Sequence, residues 1–398
     1  MTFRFLTAGE SHGKCLTAII EGVPAGIKIN PEDINKQLAR RQQGYGRGGR
    51  MQIEKDKVII TSGVRHGFTT GAPIALVIEN KDWENWTIPM STEPVDTENP
   101  EIKEILSEKK ITHVRPGHAD LSGALKYNHT DIRNILERSS ARETATRVAI
   151  GALARIILNQ FGIKIFSHVT QIGSAKVEEK DLPQNFSLLK EKAENSYVRC
   201  ADEKTSEEMR KTIDKAAEEG DSLGGIFEVI ALNCPIGLGS FVHWDRRFDG
   251  QIAQAIMSIP AIKSVSIGLG EDSGKILGSQ MHDEIFPKDE TNYYHRKTNN
   301  AGGIEGGMSN GMPIIVKAAM KPIPTLKKPL NSIDLETGKE HIAHYERADV
   351  CAVPAASVVG EAMLAIVLVN SFFEKFGGDS LVEIKSNFEN YKNLYQAR

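Results

Sequence analysis

Two histidines sit in glycine-bracketed turns, a setting suited to proton transfer on a bound small molecule. Gly9-Glu10-Ser11-His12-Gly13 follows a short apolar run, Phe3 to Leu6, and Arg115-Pro116-Gly117-His118-Ala119-Asp120 precedes a helical pattern. Histidine gives or takes a proton near neutrality, and glycine lets backbone approach a ligand closely. Taken alone, a histidine in such a turn is more often a structural hydrogen-bonder than a catalyst, so the rest of the chain must decide.

Cationic groups that could hold an anion recur along the sequence. Residues 40–50 read RRQQGYGRGGR, four arginines and four glycines with no acid. The guanidinium fork matches phosphate and carboxylate, and the glycines let backbone fold around such a ligand. Gly44, Gly46 and Gly49 spell GxGxxG, but a dinucleotide fingerprint follows a strand and opens a helix, whereas this run follows a helical pattern. A solvated basic loop and an RNA-binding arginine–glycine tract are the alternatives. The second is weakened because Tyr45 is the only interleaved aromatic. Gly9 to Lys14 is one residue too short for a P-loop and is followed by Cys15.

Arg138-Ser139-Ser140-Ala141-Arg142-Glu143-Thr144 opens a long apolar helical pattern, either as an anion cradle at a helix N-terminus or as ordinary serine capping. Lys321-Pro322-Ile323-Pro324-Thr325 sets a lysine and a threonine on a proline-stiffened backbone. Arg347 and Asp349 share a side if their segment is extended. The glycine-rich DSLGG (221–225), GGIEGG (302–307) and SNG (309–311) read as turns. His341 and His344 have no third ligand nearby, so no metal site is assigned.

The elements that must position these groups follow from composition and periodicity. The chain has 398 residues, 40% hydrophobic and 25% charged, with a formal net charge of -3. It can bury a large core and offers no global attraction to nucleic acid or an anionic membrane. Cys15, Cys200, Cys234 and Cys351 lie far apart without a CxxC pair, which fits a reducing, cytoplasmic setting rather than a zinc site or disulfide framework. No signal-peptide core opens the sequence, and the most apolar stretch, Ala362 to Val369, is too short to span a bilayer.

Strands are expected at Leu16–Ile20, Val58–Thr61, Ile74–Ile78, Ile163–Val169, Ile226–Leu232, Val265–Leu269 and Pro313–Ala318. Asn30-Pro31 opens a helix through about Gln42, and further helices are expected at 100–109, 121–127, 141–160, 207–219, 246–258 and 355–374. Thr144–Leu158 and Val358–Val369 are apolar on nearly every face, which marks helices buried in a core. Strands and helices do not alternate regularly, so the class is α+β with antiparallel sheets enclosing helices, in one domain over 1–398 with a polar tail over 375–398. Loops at 79–99, 180–187 and 284–312 are long and polar.

Taken in order, GESHG, RRQQGYGR, RPGHAD, RSSARETATRVA, DSLGG, GGMSNG, KPIPT and RADVCAVPAASVVGEAMLAIVL resemble the chorismate synthase family over residues 2–375. The resemblance implies core helices sandwiched between antiparallel sheets and assembly as a homotetramer. It also implies a 1,4-elimination of phosphate from 5-enolpyruvylshikimate 3-phosphate, dependent on reduced FMN without net redox change. By the same resemblance His12 would protonate or stabilise the anionic reduced flavin, His118 would protonate the departing phosphate, and Asp349 would assist proton removal at flavin N5. Flavin contacts would be Arg138, Ser139, Ser140, Ala261, Gly306, Lys321, Pro322, Ile323, Pro324, Thr325 and Arg347, with Arg41 and Arg47 on nucleotide or substrate.

Many relatives carry Asn or Gln where this chain has Pro260, so a flavin contact there would use a carbonyl or packing. Crowding by arginines predicts neutral histidines that become protonated when anions bind. The competing enzymatic reading is an NADPH-dependent flavin reductase using the same FMN contacts. NADPH as the electron source is left open beside an external supply, which is favoured because no separate nucleotide-binding domain is evident.

Overall fold

The computed structural model describes residues 2–47, 55–288, 294–328, 330–346 and 349–396. Strands β1 (Arg4–Ala8), β2 (Cys15–Glu21), β3 (Val58–Ile60) and β4 (Ile74–Glu79) form a sheet in the order β1-β2-β4-β3. A second sheet contains β5 (Lys164–Ile172), β6 (Ala175–Lys176), β7 (Gly225–Leu232), β8 (Ile262–Ile267) and β9 (Ile314–Met320), in the order β8-β9-β7-β5-β6. Every pairing in both sheets is antiparallel.

The helices that shape the core and the site are, in chain order, α1 (Pro31–Gln42), α2 (Asp120–Tyr127), α3 (Arg133–Ser139), α4 (Thr144–Asn159), α5 (Phe248–Met257), α6 (Val353–Phe376) and α7 (Leu381–Gln396). Helices α1, α4 and α6 lie between the sheets, with α4 against the first and α6 against the second. Small residues set this spacing. A Cβ on Gly151 of α4 would come within 2.3 Å of the Ala362 Cβ on α6, and one on Gly360 would come within 2.8 Å of the Phe227 ring on β7. Close-packed interiors have no room for either.

The sequence places most of these elements. Asn30 caps α1, its side chain accepting from Glu32 N–H at 3.1 Å, with Pro31 in the first turn. The expected helix at 141–160 begins as a 3₁₀ turn, Ala141–Glu143, before α4. Two expectations change, and the reading of the tail as a polar, frayed helix is sharpened. Helix α3 and a helix at Phe186–Asn195 were not expected; the second is capped by Asn185, whose side chain accepts from Ser187 N–H at 2.9 Å. The polar tail forms α7, anchored by Ile384 and Phe388, and the Phe388 ring lies 5.1 Å from that of Phe376. Finally, α6 has 24 residues, long and apolar enough to cross a membrane by length and composition, yet 94% of its most apolar window is buried inside the protein. Ala, Ser and Gly extend the apolar run toward the N-terminus without a break in burial from Val353 to Val369.

Candidate active site

The turn between β1 and β2 carries His12. Gly9 adopts φ 107°, and a Cβ there would approach the Cys15 carbonyl to 2.4 Å, so only glycine makes this turn without strain. Asn80 pins the turn from below, donating to the carbonyls of Gly13 at 2.6 Å and Glu10 at 3.1 Å. Glu10 is exposed and its side chain folds over Gly13, so it closes the turn. The carboxylate facing the histidine belongs to Glu137 on α3: His12 Nδ1 lies 2.8 Å from its Oε1, and His12 N–H donates to its Oε2 at 2.7 Å. Trp86 stacks on the imidazole with centroids 4.0 Å apart.

His118 is held the same way from the other side. Its Nδ1 lies 2.5 Å from Asp120 Oδ1, at the start of α2. Arg115 brackets that carboxylate, donating from its backbone N–H at 3.1 Å and from Nε at 2.8 Å to Oδ2. Burial alone would raise the Asp120 carboxyl, but hydrogen bonds from His118 and Arg115 hold it well below the usual range. Arg115 Nη1 also donates to Thr325 Oγ1 at 3.2 Å, and Lys321 donates to the Gly117 carbonyl, which joins RPGHAD to KPIPT. The DSLGG turn backs this wall: Ser222 Oγ donates to the Ile323 carbonyl at 2.7 Å, and a Cβ on Gly224 would strike the Met320 carbonyl at 2.2 Å. Burial, and then Lys263, lower the Lys321 ammonium from its ordinary value.

Arg47 and Asp349 form a third group. The Gly46 carbonyl accepts from Val350 N–H at 2.8 Å, and this close approach sets Arg47 Nη1 3.2 Å from Asp349 Oδ2. Arg41 at the end of α1 donates from Nε to Thr144 Oγ1 at 2.9 Å and from Nη2 to the Ala141 carbonyl at 2.8 Å. Arg142 holds Asp56 with both carboxylate oxygens at 2.7 Å. Glu346, held down at about 2 by His344, Arg133 and Arg115 against the opposing effect of burial, completes the rim.

These groups enclose one cavity of about 460 Å³. His12, His118, Asp349, Arg41, Arg47, Ser140, Ala261, Lys321, Ile323, Pro324 and Thr325, all named above, line it. Four expected residues do not. Arg138 is exposed and donates to the carbonyl of Thr7 at 2.9 Å and of Gly9 at 3.2 Å; Ser139 Oγ donates to the Ile135 carbonyl at 2.8 Å. Gly306 is at the tip of the Ile304–Ser309 hairpin, and Pro322 is turned out of the lining. Arg347 lies outside the described residues.

An arginine does crowd His118, with Arg115 Nη2 2.9 Å from its Nδ1, but the Nδ1 of each ring also lies against a carboxylate, which the sequence did not reveal. Pro260 and Ala261 occupy the centre of a turn closed by Ile262 N–H to the Ile259 carbonyl at 3.2 Å, with Ala261 at φ 68°. The Ala261 carbonyl is engaged by Lys321 N–H at 2.9 Å, so this corner offers the cavity a packing surface.

Sequence reasoning missed Glu137, Trp86, Arg115 and Arg142 as members of the site. Arg115 and Arg142 stood inside motifs already singled out and Trp86 in a loop marked as long, whereas no local signal connects Glu137 with a histidine 125 residues away.

Comparison with known proteins gives the family. The family profile described as chorismate synthase matches residues 3–373. The chorismate synthase of Aquifex aeolicus is 57% identical over 396 residues, covering 98% of this chain and 97% of its own. That of Shouchella clausii is 56% identical over 388 residues, covering 98% of each. A solved crystal structure of chorismate synthase superposes with a TM-score of 0.80 at 48% identity, covering 100% of this chain and 99% of the other. With the match running through every segment that lines the cavity, the chain belongs to the chorismate synthase family and is a carbon–oxygen lyase.

Proposed function

We propose that this chain converts 5-enolpyruvylshikimate 3-phosphate to chorismate and inorganic phosphate in the 460 Å³ cavity, with reduced FMN as cofactor. The observation that carries this reading is the lining itself: two imidazoles, each backed by a carboxylate, face a wall that contains Arg41, Arg47, Arg115, Arg142 and Lys321. Cations gathered around an open volume suit a substrate bearing a phosphate and two carboxylates.

The residues also suit a flavin. Met320, Ile323, Pro324, Ala355 and Val359 give apolar lining beside Lys321, and Arg47 Nε is a buried donor with no hydrogen-bond acceptor among the described residues. Ser140, Ala261, Lys321 and the segment to Thr325 would hold the ring system and its phosphate. When bound, reduced FMN supplies electron density that no amino acid offers.

The protein groups divide the proton work. With Asp120 holding Nδ1, His118 donates to the departing phosphate from Nε2. His12 keeps a proton against negative charge at the opposite wall. Asp349, oriented by Arg47, accepts the proton that the elimination removes. Arg41, Arg47 and Arg115 fix the substrate's anionic groups.

The decisive experiment compares photoreduced FMN under nitrogen with oxidised FMN plus NADPH. Phosphate release and chorismate formation with photoreduced FMN alone are expected; NADPH consumption without phosphate release would instead establish the flavin-reductase reading. We further read the chain as a single catalytic domain and a cytoplasmic homotetramer. The four cysteines are unpaired, and the outer face of the first sheet exposes Leu6, Ile19 and Ile59. Light scattering measures the assembly.

A further inference from the structure

The groups around His12 hold it more completely than a hydrogen bond in a turn would. We propose that Glu137 and Trp86 are positioning residues that fix the tautomer and the ring plane of His12, an assignment that rests on the acid role of His12 given above.

Glu137 is 2% exposed and receives three donors on one carboxylate: His12 N–H at 2.7 Å, His12 Nδ1 at 2.8 Å and Arg133 Nη1 at 3.1 Å. An ionised carboxylate only accepts hydrogen bonds, so Nδ1 must carry its proton and exchange is confined to Nε2. The same carboxylate binds the backbone and the ring of one residue, which restrains the rotamer as well as the tautomer. Burial opposes ionisation of Glu137, but hydrogen bonds from His12 and Arg133 hold its carboxyl below the ordinary value.

Trp86 defines the plane. It stacks on the imidazole at 4.0 Å and 26°, while Lys109 Nζ and the Arg133 guanidinium lie 4.7 Å and 5.0 Å from its own ring centroid. Arg133 joins these parts to the cavity, reaching Glu346 Oε1 at 3.3 Å as well as Glu137. The arrangement repeats, with different residues, what Asp120 and Arg115 do for His118. A purely structural carboxylate tying the turn to α3 would need only the backbone bonds, and Ser11 N–H to the Glu137 carbonyl at 3.0 Å already supplies one.

The test reads the ring directly in ligand-free protein labelled with 15N-histidine, at a pH where the imidazole is neutral, with His12 assigned by its absence in His12→Gln. The wild type should show His12 as the Nδ1–H tautomer. Glu137→Gln has one acceptor oxygen for three donors, so its amide must turn hydrogens toward one of them, and the Nε2–H tautomer should become populated. Turnover should fall about a hundredfold or more while KM moves only a few-fold. Trp86→Leu, on a separate loop, should keep the tautomer and lower kcat by up to about tenfold, the scale of an aromatic stack; it stands in should Glu137→Gln fail to fold.

An Nδ1–H tautomer retained in Glu137→Gln overturns the assignment. So does unchanged kcat in both variants where His12→Ala is inactive. If His12→Ala itself turns over normally, the acid role of His12 falls, and the tautomer spectrum still decides whether Glu137 fixes the ring.

Discussion

Arg40 and Arg41 are consecutive on α1, and they belong to two different kinds of charged region. Arg40 turns inward to a fully buried carboxylate, donating to Glu361 at 2.7 Å and 2.8 Å and to Glu194 Oε2 at 3.0 Å. Arg155 and Arg199 join from α4 and from the loop after residue 195, and Ser167 donates to Glu361 at 2.7 Å. Three arginines thus meet two glutamates and a hydroxyl in direct contact. Arg41 faces the 460 Å³ cavity, where four other cations share the lining with two carboxylates, Glu346 and Asp349. One residue of helix turns a side chain by about 100°, which is enough to send neighbours to different partners. Both regions pair arginine with carboxylate: three arginines share two glutamates in the network, while at the site Arg142 holds Asp56, Arg115 holds Asp120 and Arg47 faces Asp349, and what sets the site apart is the open volume beside those pairs.

The largest effect that would break this contrast lies in the site. His118→Ala should lower turnover with prereduced FMN by about a hundredfold to ten-thousandfold, the range for a lost general acid, with little change in unfolding midpoint. Normal turnover in that variant would remove His118 from the chemistry. The converse belongs to the network. Glu361→Ala leaves buried guanidinium groups without their carboxylate and should destabilise by about 3–5 kcal/mol in denaturant titration. Turnover per folded molecule should change far less than in His118→Ala, and a comparable loss would erase the distinction between the two regions.

A smaller effect sharpens the contrast through pH. Glu346 takes up its proton near 2 in the folded chain against 4.5 in the unfolded one, burial being outweighed by His344, Arg133 and Arg115. Its contribution is complete above pH 4.5 and is lost as pH falls toward 2, because the unfolded chain binds the proton first. Glu346→Gln should therefore flatten the decline of the urea midpoint across that window. Glu361, held well below the usual carboxylate range, contributes in the same direction from the network, so the Glu346 variant should remove part of the decline and leave the remainder. A slope identical to that of the wild type would show that the rim carboxylate is not ionically held.

What the sequence makes legible follows the reach of local chemistry. Alternation and turn residues place seven of the nine strands in the two sheets, missing β1 and the two-residue β6, and apolar helices with small residues announce the sandwich. The histidine turns and the arginine–glycine loop are visible because their residue types are local and dense. Whether Arg40 or Arg41 faces the ligand is not, because both follow the same helical pattern and only the carboxylates brought by α6 and Phe186–Asn195 distinguish them. Asp120 stands two residues from its histidine, whereas Glu137 meets His12 only after α3 docks on the β1–β2 turn. Arg138 carries the right chemistry for an anion site, but its guanidinium is taken by the carbonyls of that same turn.

The smallest predicted effect concerns a corner where backbone geometry and ligand contact compete. Pro260 and Ala261 fill the middle of the turn after α5, and Ala261 at φ 68° occupies the left-handed region that non-glycine residues rarely adopt. Holding an alanine there costs about 1–2 kcal/mol, and Ala261→Gly relieves it. The same change frees the unfolded chain and gives back about 0.4–1 kcal/mol, so a net gain in stability of up to about 1.5 kcal/mol is expected. The methyl group, however, is part of the cavity wall, on the side where the carbonyl is already engaged by Lys321. If that methyl packs against the cofactor, the glycine variant should unfold at higher denaturant yet bind FMN more weakly, by about threefold to fourfold for one lost methyl-sized contact. A variant that gains stability with unchanged FMN affinity would show that the strain at Ala261 serves the fold of the turn and not the ligand.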